Sequence, residues 1–188
     1  MRLHYKGKFD LNLDSLPCLP HEPGAVKFKE AENTAALAAL ATKISLGILI
    51  FCLALLVFRC DWKSLWYIFP GFLISIMCAF PHELLHAVCF KEDVYLYTNR
   101  KQGMLFVVGP ERMSKGRFVF MSLLPNLVFG LLPFILGLAA NYPILGCMGA
   151  ISLSMGAGDF YNVYNALTQI PKGAKTYLHK FNSYWYMP

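Results

Sequence analysis

Residues 65–90 read LWYIFPGFLISIMCAFPHELLHAVCF, and this run decides how the rest of the chain is understood. It is apolar enough to cross a bilayer, yet it contains His82-Glu83-Leu84-Leu85-His86. Glu83 is one of two acidic residues in all the apolar stretches; Asp159 is the other. A carboxylate and two imidazoles are costly in hydrocarbon and mark a functional site by default. The spacing is that of the H-E-x-x-H zinc motif. On a helix, His82 and His86 lie four residues apart and leave the same face, so both can grip one metal ion. Glu83 lies one residue on, within reach of a water beside the metal without being a ligand.

The rest of the composition fits a membrane protein. The 188 residues are 56% hydrophobic and only 15% charged, and the mean hydropathy is +0.46. Four segments qualify as spans by length and apolarity, at 35–58, 65–90, 118–140 and 143–167. A β-branched and aromatic run, a polar turn and a second apolar run predict a short β-hairpin over 94–108. The expected fold is therefore an all-α polytopic membrane protein with about four transmembrane helices and a hairpin after the second. Residues 1–188 are expected to form a single membrane-embedded domain. The first 33 residues are polar, mixed in charge and lack an early apolar stretch, so no signal peptide is expected.

Charge sets the expected orientation. With both termini in the cytoplasm, fourteen Lys and Arg residues outside the spans face inward and two face outward, a strong positive-inside bias. The net charge of +6 is explained by this asymmetry and by attraction to anionic headgroups. It is not a nucleic-acid signal, because no basic patch accompanies an RNA- or DNA-reading module. The six cysteines include no C-x-x-C pair and read as small apolar fillers.

A tetrahedral catalytic zinc needs a third protein ligand and one open position. Depth nominates Asp159. His82 lies eight residues from the cytoplasmic end of the second expected span, and Asp159 eight from the end of the fourth. Both then sit about 12 Å inside the boundary at ~1.5 Å per residue. Ser152/Gly156 and Ser154/Gly158 are small pairs that favour close helix approach. Asn162 and Asn165 follow Asp159 on a related face, and Asn126 follows Pro125 in the third span. These three amides are candidates for binding substrate or orienting a ligand, although an intramembrane Asn more often makes only an interhelical hydrogen bond.

Taken together, His82-Glu83-Leu84-Leu85-His86, the hairpin, Pro125-Asn126 and Gly158-Asp159 resemble a family of small bacterial zincin membrane metalloproteases known as a domain of unknown function. Ile170-Pro171-Lys172-Gly173-Ala174-Lys175 and Ser183-Tyr184-Trp185-Tyr186 in the tail share that likeness. More distantly the chain is similar to the site-2 protease intramembrane metalloproteases. The resemblance implies a Zn2+ held by His82, His86 and Asp159, with Glu83 as general base. It departs from the wider family in the order Gly158-Asp159, where that family has an Asp-Gly pair. The expected function is a membrane-embedded zinc metalloprotease cleaving a peptide or membrane-protein substrate in or near the bilayer, in a bacterial plasma membrane. The alternatives are a non-proteolytic zinc hydrolase or a catalytically inactive metal-binding scaffold.

Overall fold

The computed structural model describes residues 1–31, 34–99, 103–180 and 182–188. The turn expected at 99–103 falls partly on residues 100–102, outside the described residues. In chain order the elements are β1 (Arg2–Lys8), β2 (Val26–Lys27), α1 (Thr34–Cys60), α2 (Ile68–Met77), α3 (Ala79–Ala87), β3 (Asp93–Asn99) and β4 (Met104–Val108). They continue with β5 (Met113–Ser114), α4 (Lys115–Pro125), α5 (Leu132–Ala139), α6 (Pro143–Met155), α7 (Ala157–Gln169), β6 (Lys175–His179) and β7 (Asn182–Tyr186). A π-helical turn over Asn126–Leu131 joins α4 to α5. The chain divides into two compact units. One holds Met1–Glu30, Glu83–Ser122 and Asn162–Pro188; the other holds Ala31–His82 and Leu123–Tyr161. The division falls inside α3, α4 and α7, so each of these helices belongs partly to each unit.

The expectation of an all-α fold is overturned. The described residues contain seven strands in two sheets, ordered β1-β3-β4 and β2-β7-β6-β5, so the fold is mixed α/β. The hairpin is present as β3 and β4, paired from Tyr95–Val108 to Asn99–Met104. The polar N-terminal segment, however, is also structured. β1 pairs in parallel with β3, from Arg2–Asp93 to Lys8–Thr98. The tail forms the hairpin β6–β7, which pairs with β5 on one side and β2 on the other. Hydropathy misses these strands because they are short, and β1 is mostly exposed along its length. Main-chain hydrogen bonds to β3 hold β1 in place, with little side-chain burial to betray it.

The four expected spans also need correction. Among the described residues, two helices are long and apolar enough to cross a membrane, Ala35–Cys60 and Lys115–Ala139. The second expected span is a broken pair, Trp62–Met77 and Ala79–Ala87, bent by 40°. Pro81 explains the break: it has no N–H to offer the carbonyl four residues earlier, and its ring crowds that carbonyl. The fourth expected span is two helices, α6 and α7, parted at Gly156. Thirteen residues of α6 reach only about 20 Å, short of the ~30 Å hydrocarbon thickness.

In the unit that contains the apolar helices, α6 is the central element. It packs against α1, α2 and α5, and every residue from Gly146 to Ser154 is buried. A helix buried all round carries no amphipathic signature. Cys52, Phe134, Ala150 and Leu153 form the core there, with Ile48, Leu49, Leu138 and Phe160 against it. Gly137 and Gly146 let α5 and α6 touch backbone to backbone, since a Cβ on Gly137 would meet the main chain of Gly146. The other unit is held by Phe9, Leu16, Tyr97 and Val108 and by Ala87, Phe90, Val94 and Met113. Lys115 caps α7 by donating through Nζ to the carbonyls of Leu167 and Ile170, at 3.0 and 2.8 Å.

Gly137→Ala should lower stability by about 1–3 kcal/mol through overpacking. Gly47→Ala, at a helical position where a Cβ meets nothing within 4 Å, should be neutral or stabilising, since alanine favours a helix over glycine. Unfolding of both variants in the same detergent checks this; equal losses would show that the close approach of α5 and α6 carries no special weight.

Candidate metal centre

Helix α3 presents the motif. His82 and His86 stand one turn apart on it, and Glu83 follows His82. His82 Nε2 faces Asp159 Oδ2 at 3.3 Å, with both side chains largely buried. The candidate ligand atoms of His82, His86 and Asp159 all lie within 4.8 Å of one another.

His86, Asp159 and Glu83 are each held by a further hydrogen bond. His86, 8% exposed, makes a 2.9 Å hydrogen bond from Nδ1 to the backbone carbonyl of Met121 on α4. A carbonyl only accepts, so Nδ1 carries the proton and the lone pair lies on Nε2. That is the tautomer a metal ligand needs, fixed by the usual outer hydrogen bond. Asp159 accepts on Oδ2 from Asn126 Nδ2 at 2.7 Å. Glu83 accepts on Oε2 from the backbone N–H of Val107 on β4, at 2.9 Å. The motif glutamate is thereby tied to the hairpin that follows it.

Asn126 reaches Asp159 because the backbone makes room. It opens the π-helical turn, a feature frequent at functional sites. It is 2% exposed and lies against Gly156, the residue that parts α6 from α7. A Cβ on Gly156 would fall on the Asn126 amide oxygen. Gly156 is thus a close-approach position, as the small-residue pairing with Ser152 anticipates. Gly158 is not one, since a Cβ there would meet nothing within 4 Å.

The three amides take different places. Asn126 contacts Asp159 directly. Asn162 stands half-buried on α7, three residues after Asp159. Asn165 is buried and accepts from Gln169 Nε2 at 3.0 Å. Gln169 in turn exchanges hydrogen bonds with both the N–H and the carbonyl of Lys29. Gln169, hydrogen-bonded to Asn165, thus ties α7 to the N-terminal segment.

The end of α3 is clamped by charged groups that pattern reading did not single out. Glu111, only 4% exposed, accepts from the backbone N–H groups of Lys91 and Glu92 at 2.6 and 3.0 Å. It also pairs with Arg117, whose Nε donates to the carbonyl of Cys89 at 2.8 Å. Burial pushes the Glu111 carboxyl up, but the two backbone N–H donors and the guanidinium outweigh it and hold the group below its ordinary range. Nothing in the linear spacing of Glu111 and Arg117 signals this role, because the carbonyl and N–H groups they bind are main-chain atoms.

A family described as "Putative zincin peptidase" (DUF3267) matches residues 75–175, just over half the chain. The chain belongs to this family. The matched segment includes His82, Glu83, His86, the hairpin, Asn126 and Asp159. No curated protein and no solved structure matches the chain. The family implies zinc, and the donor set fits it. Two imidazole nitrogens and a carboxylate oxygen are the ligand types of catalytic zinc sites, and the Nδ1 hydrogen bond of His86 leaves Nε2 free to serve as a ligand atom.

Asn126→Ala should lower zinc affinity by roughly 10- to 100-fold, the usual cost of removing a ligand's outer partner. Gly156→Ala should reproduce that loss by displacing the Asn126 amide. The double variant should then bind no more weakly than either single one, because both act through one contact. Additive losses in a competition titration with a chelator would refute the link.

Proposed function

We propose that this protein is a membrane-embedded zinc metallopeptidase that hydrolyses peptide bonds within or near the bilayer. The observation that carries the reading is the convergence of His82, His86 and Asp159 within 4.8 Å, inside the segment shared with the zincin peptidase family. His82, His86 and Asp159 would hold the ion, leaving a fourth position for water or substrate. Zinc bound there supplies Lewis acidity, polarising the scissile carbonyl and acidifying water.

The chain's own groups do the rest. Glu83 takes a proton from the attacking water and passes it to the departing amine nitrogen. The Val107 N–H steadies Glu83 while it waits. Asn126 orients Asp159, and the Met121 carbonyl orients His86. β4 is the terminal strand of its sheet and offers an edge on which an extended peptide could be laid. Extension matters, because a helical substrate satisfies its own backbone in lipid and must unwind before water can attack. The distant likeness to site-2 proteases rests on the histidine motif and the later aspartate, and agrees with this chemistry.

Support for the membrane orientation comes from pairing within the strand-rich unit. The N-terminal segment, the segment after α3 and the tail are the three parts assigned to the cytoplasm by charge. β1 is hydrogen-bonded to β3, β2 to β7 and β6 to β5. Segments joined in one sheet must share one side of a membrane, as the positive-inside assignment requires.

Two tests follow. Glu83→Gln keeps size but cannot accept the proton, so bound zinc should stay while cleavage of a membrane-peptide reporter falls ~100- to 10,000-fold. Asp159→Asn should instead lose zinc, since a neutral amide is a poorer ligand than a carboxylate. If Glu83→Gln lost the metal while Asp159→Asn kept both metal and activity, the assigned roles would be wrong. For topology, a reporter fused after Pro188 should read cytoplasm and one inserted at Asn141 the opposite side. Both reading the same side would exclude the proposed arrangement.

A further inference from the structure

The carbonyl that receives the His86 proton belongs to Met121, and residue 121 stands four before Pro125 on α4. In an α-helix the carbonyl of residue i accepts from the N–H of residue i+4. Residue 125 is proline and has no N–H. Its ring also crowds the carbonyl four residues back, turning it away from the helix axis. The carbonyl denied its usual helical donor and pushed outward is therefore the one that His86 Nδ1 reaches at 2.9 Å. Pro125 itself is among the most fully buried residues of the chain, and its ring touches neither the metal nor the substrate in this scheme.

We propose that Pro125 is a positioning residue for His86: by withholding an N–H and displacing the Met121 carbonyl, it creates the acceptor that fixes the His86 tautomer with Nε2 toward the metal. The inference rests on the metal site proposed above and adds to it a cause lying on another helix. Without the proline, a helical N–H at position 125 would compete for Met121 O and draw it back along the axis. The His86 ring would then lose its orienting bond and populate the opposite tautomer, whose Nε2 carries a proton and cannot bind zinc.

The sign of the effect separates this role from a structural one. Proline inside a helix weakens it, so Pro125→Ala should leave the unfolding temperature of the zinc-free protein unchanged or raise it. Zinc affinity should nevertheless fall by about tenfold, the scale of losing an outer-shell partner. In zinc-free protein carrying 15N-labelled histidine, at a pH where the ring is neutral, His86 in the wild type should show Nδ1 protonated. In Pro125→Ala the signals should shift toward the Nε2-protonated form.

Asn126→Ala is the control for a disturbed π-helical turn. It should lower zinc affinity through Asp159 while leaving the His86 tautomer as in the wild type. A Pro125→Ala protein with unchanged tautomer would overturn the proposal, whatever its zinc affinity. So would a shifted tautomer with unchanged affinity. A variant that failed to fold would also count against it, since a proline needed for the fold itself contradicts the predicted sign. Wild-type protein with Nδ1 protonated but no affinity for zinc would instead overturn the metal reading on which the inference stands.

Discussion

A charged or polar side chain on an apolar helix must find a partner or destabilise the helix that carries it. Helix α3 carries His82, Glu83 and His86 within five residues, and three different parts of the chain meet that demand. A carbonyl on α4 accepts a hydrogen bond from His86 Nδ1. Asp159 on α7 faces His82. A backbone N–H of β4 donates to Glu83. Each bond also orients the group for metal or proton chemistry, so the same constraint that keeps the helix tolerable in an apolar setting builds the candidate site.

Irregular backbone supplies much of the precision. The break before Pro81, the π-helical turn after Pro125 and the gap at Gly156 each interrupt a helix near a site residue. At such interruptions main-chain groups escape the i to i+4 ladder and become available to side chains. Buried Glu111 and half-buried Arg117 exploit this at the end of α3, binding main-chain groups of Cys89, Lys91 and Glu92. Removing Arg117 would leave the buried Glu111 carboxylate without its guanidinium partner, which costs more than the pair contributes when intact.

The close packing of α5 and α6 shows a second principle. Between apolar helices, small residues let backbones approach closely and short hydroxyls hydrogen-bond across the contact. Gly137 and Gly146 allow backbone contact. Ser75 and Ser152 hydrogen-bond to each other at 3.1 Å where α2 meets α6, and Ser75 also reaches the carbonyl of Met148 at 3.0 Å. Small residues and short hydroxyls thus bring the helices together around the larger side chains of Phe134 and Leu153.

The sequence alone determined what local chemistry determines. Spacing on one helix face put His82 and His86 together and set Glu83 beside them. Sustained apolarity marked α1 and the α4–α5 region, and the turn between two β-rich runs marked the hairpin. Asp159 stood out because a carboxylate in an apolar stretch is rare. Tertiary structure decided the rest. The N-terminal and C-terminal strands depend on main-chain pairing between segments far apart in the chain, which leaves no periodic trace in short polar stretches. The fourth apolar segment looked continuous because hydropathy averages over Gly156, where the backbone breaks to admit Asn126. The partners of His86 and Glu83 are a carbonyl and an N–H, which every residue possesses; only the folded backbone selects Met121 and Val107 for those roles.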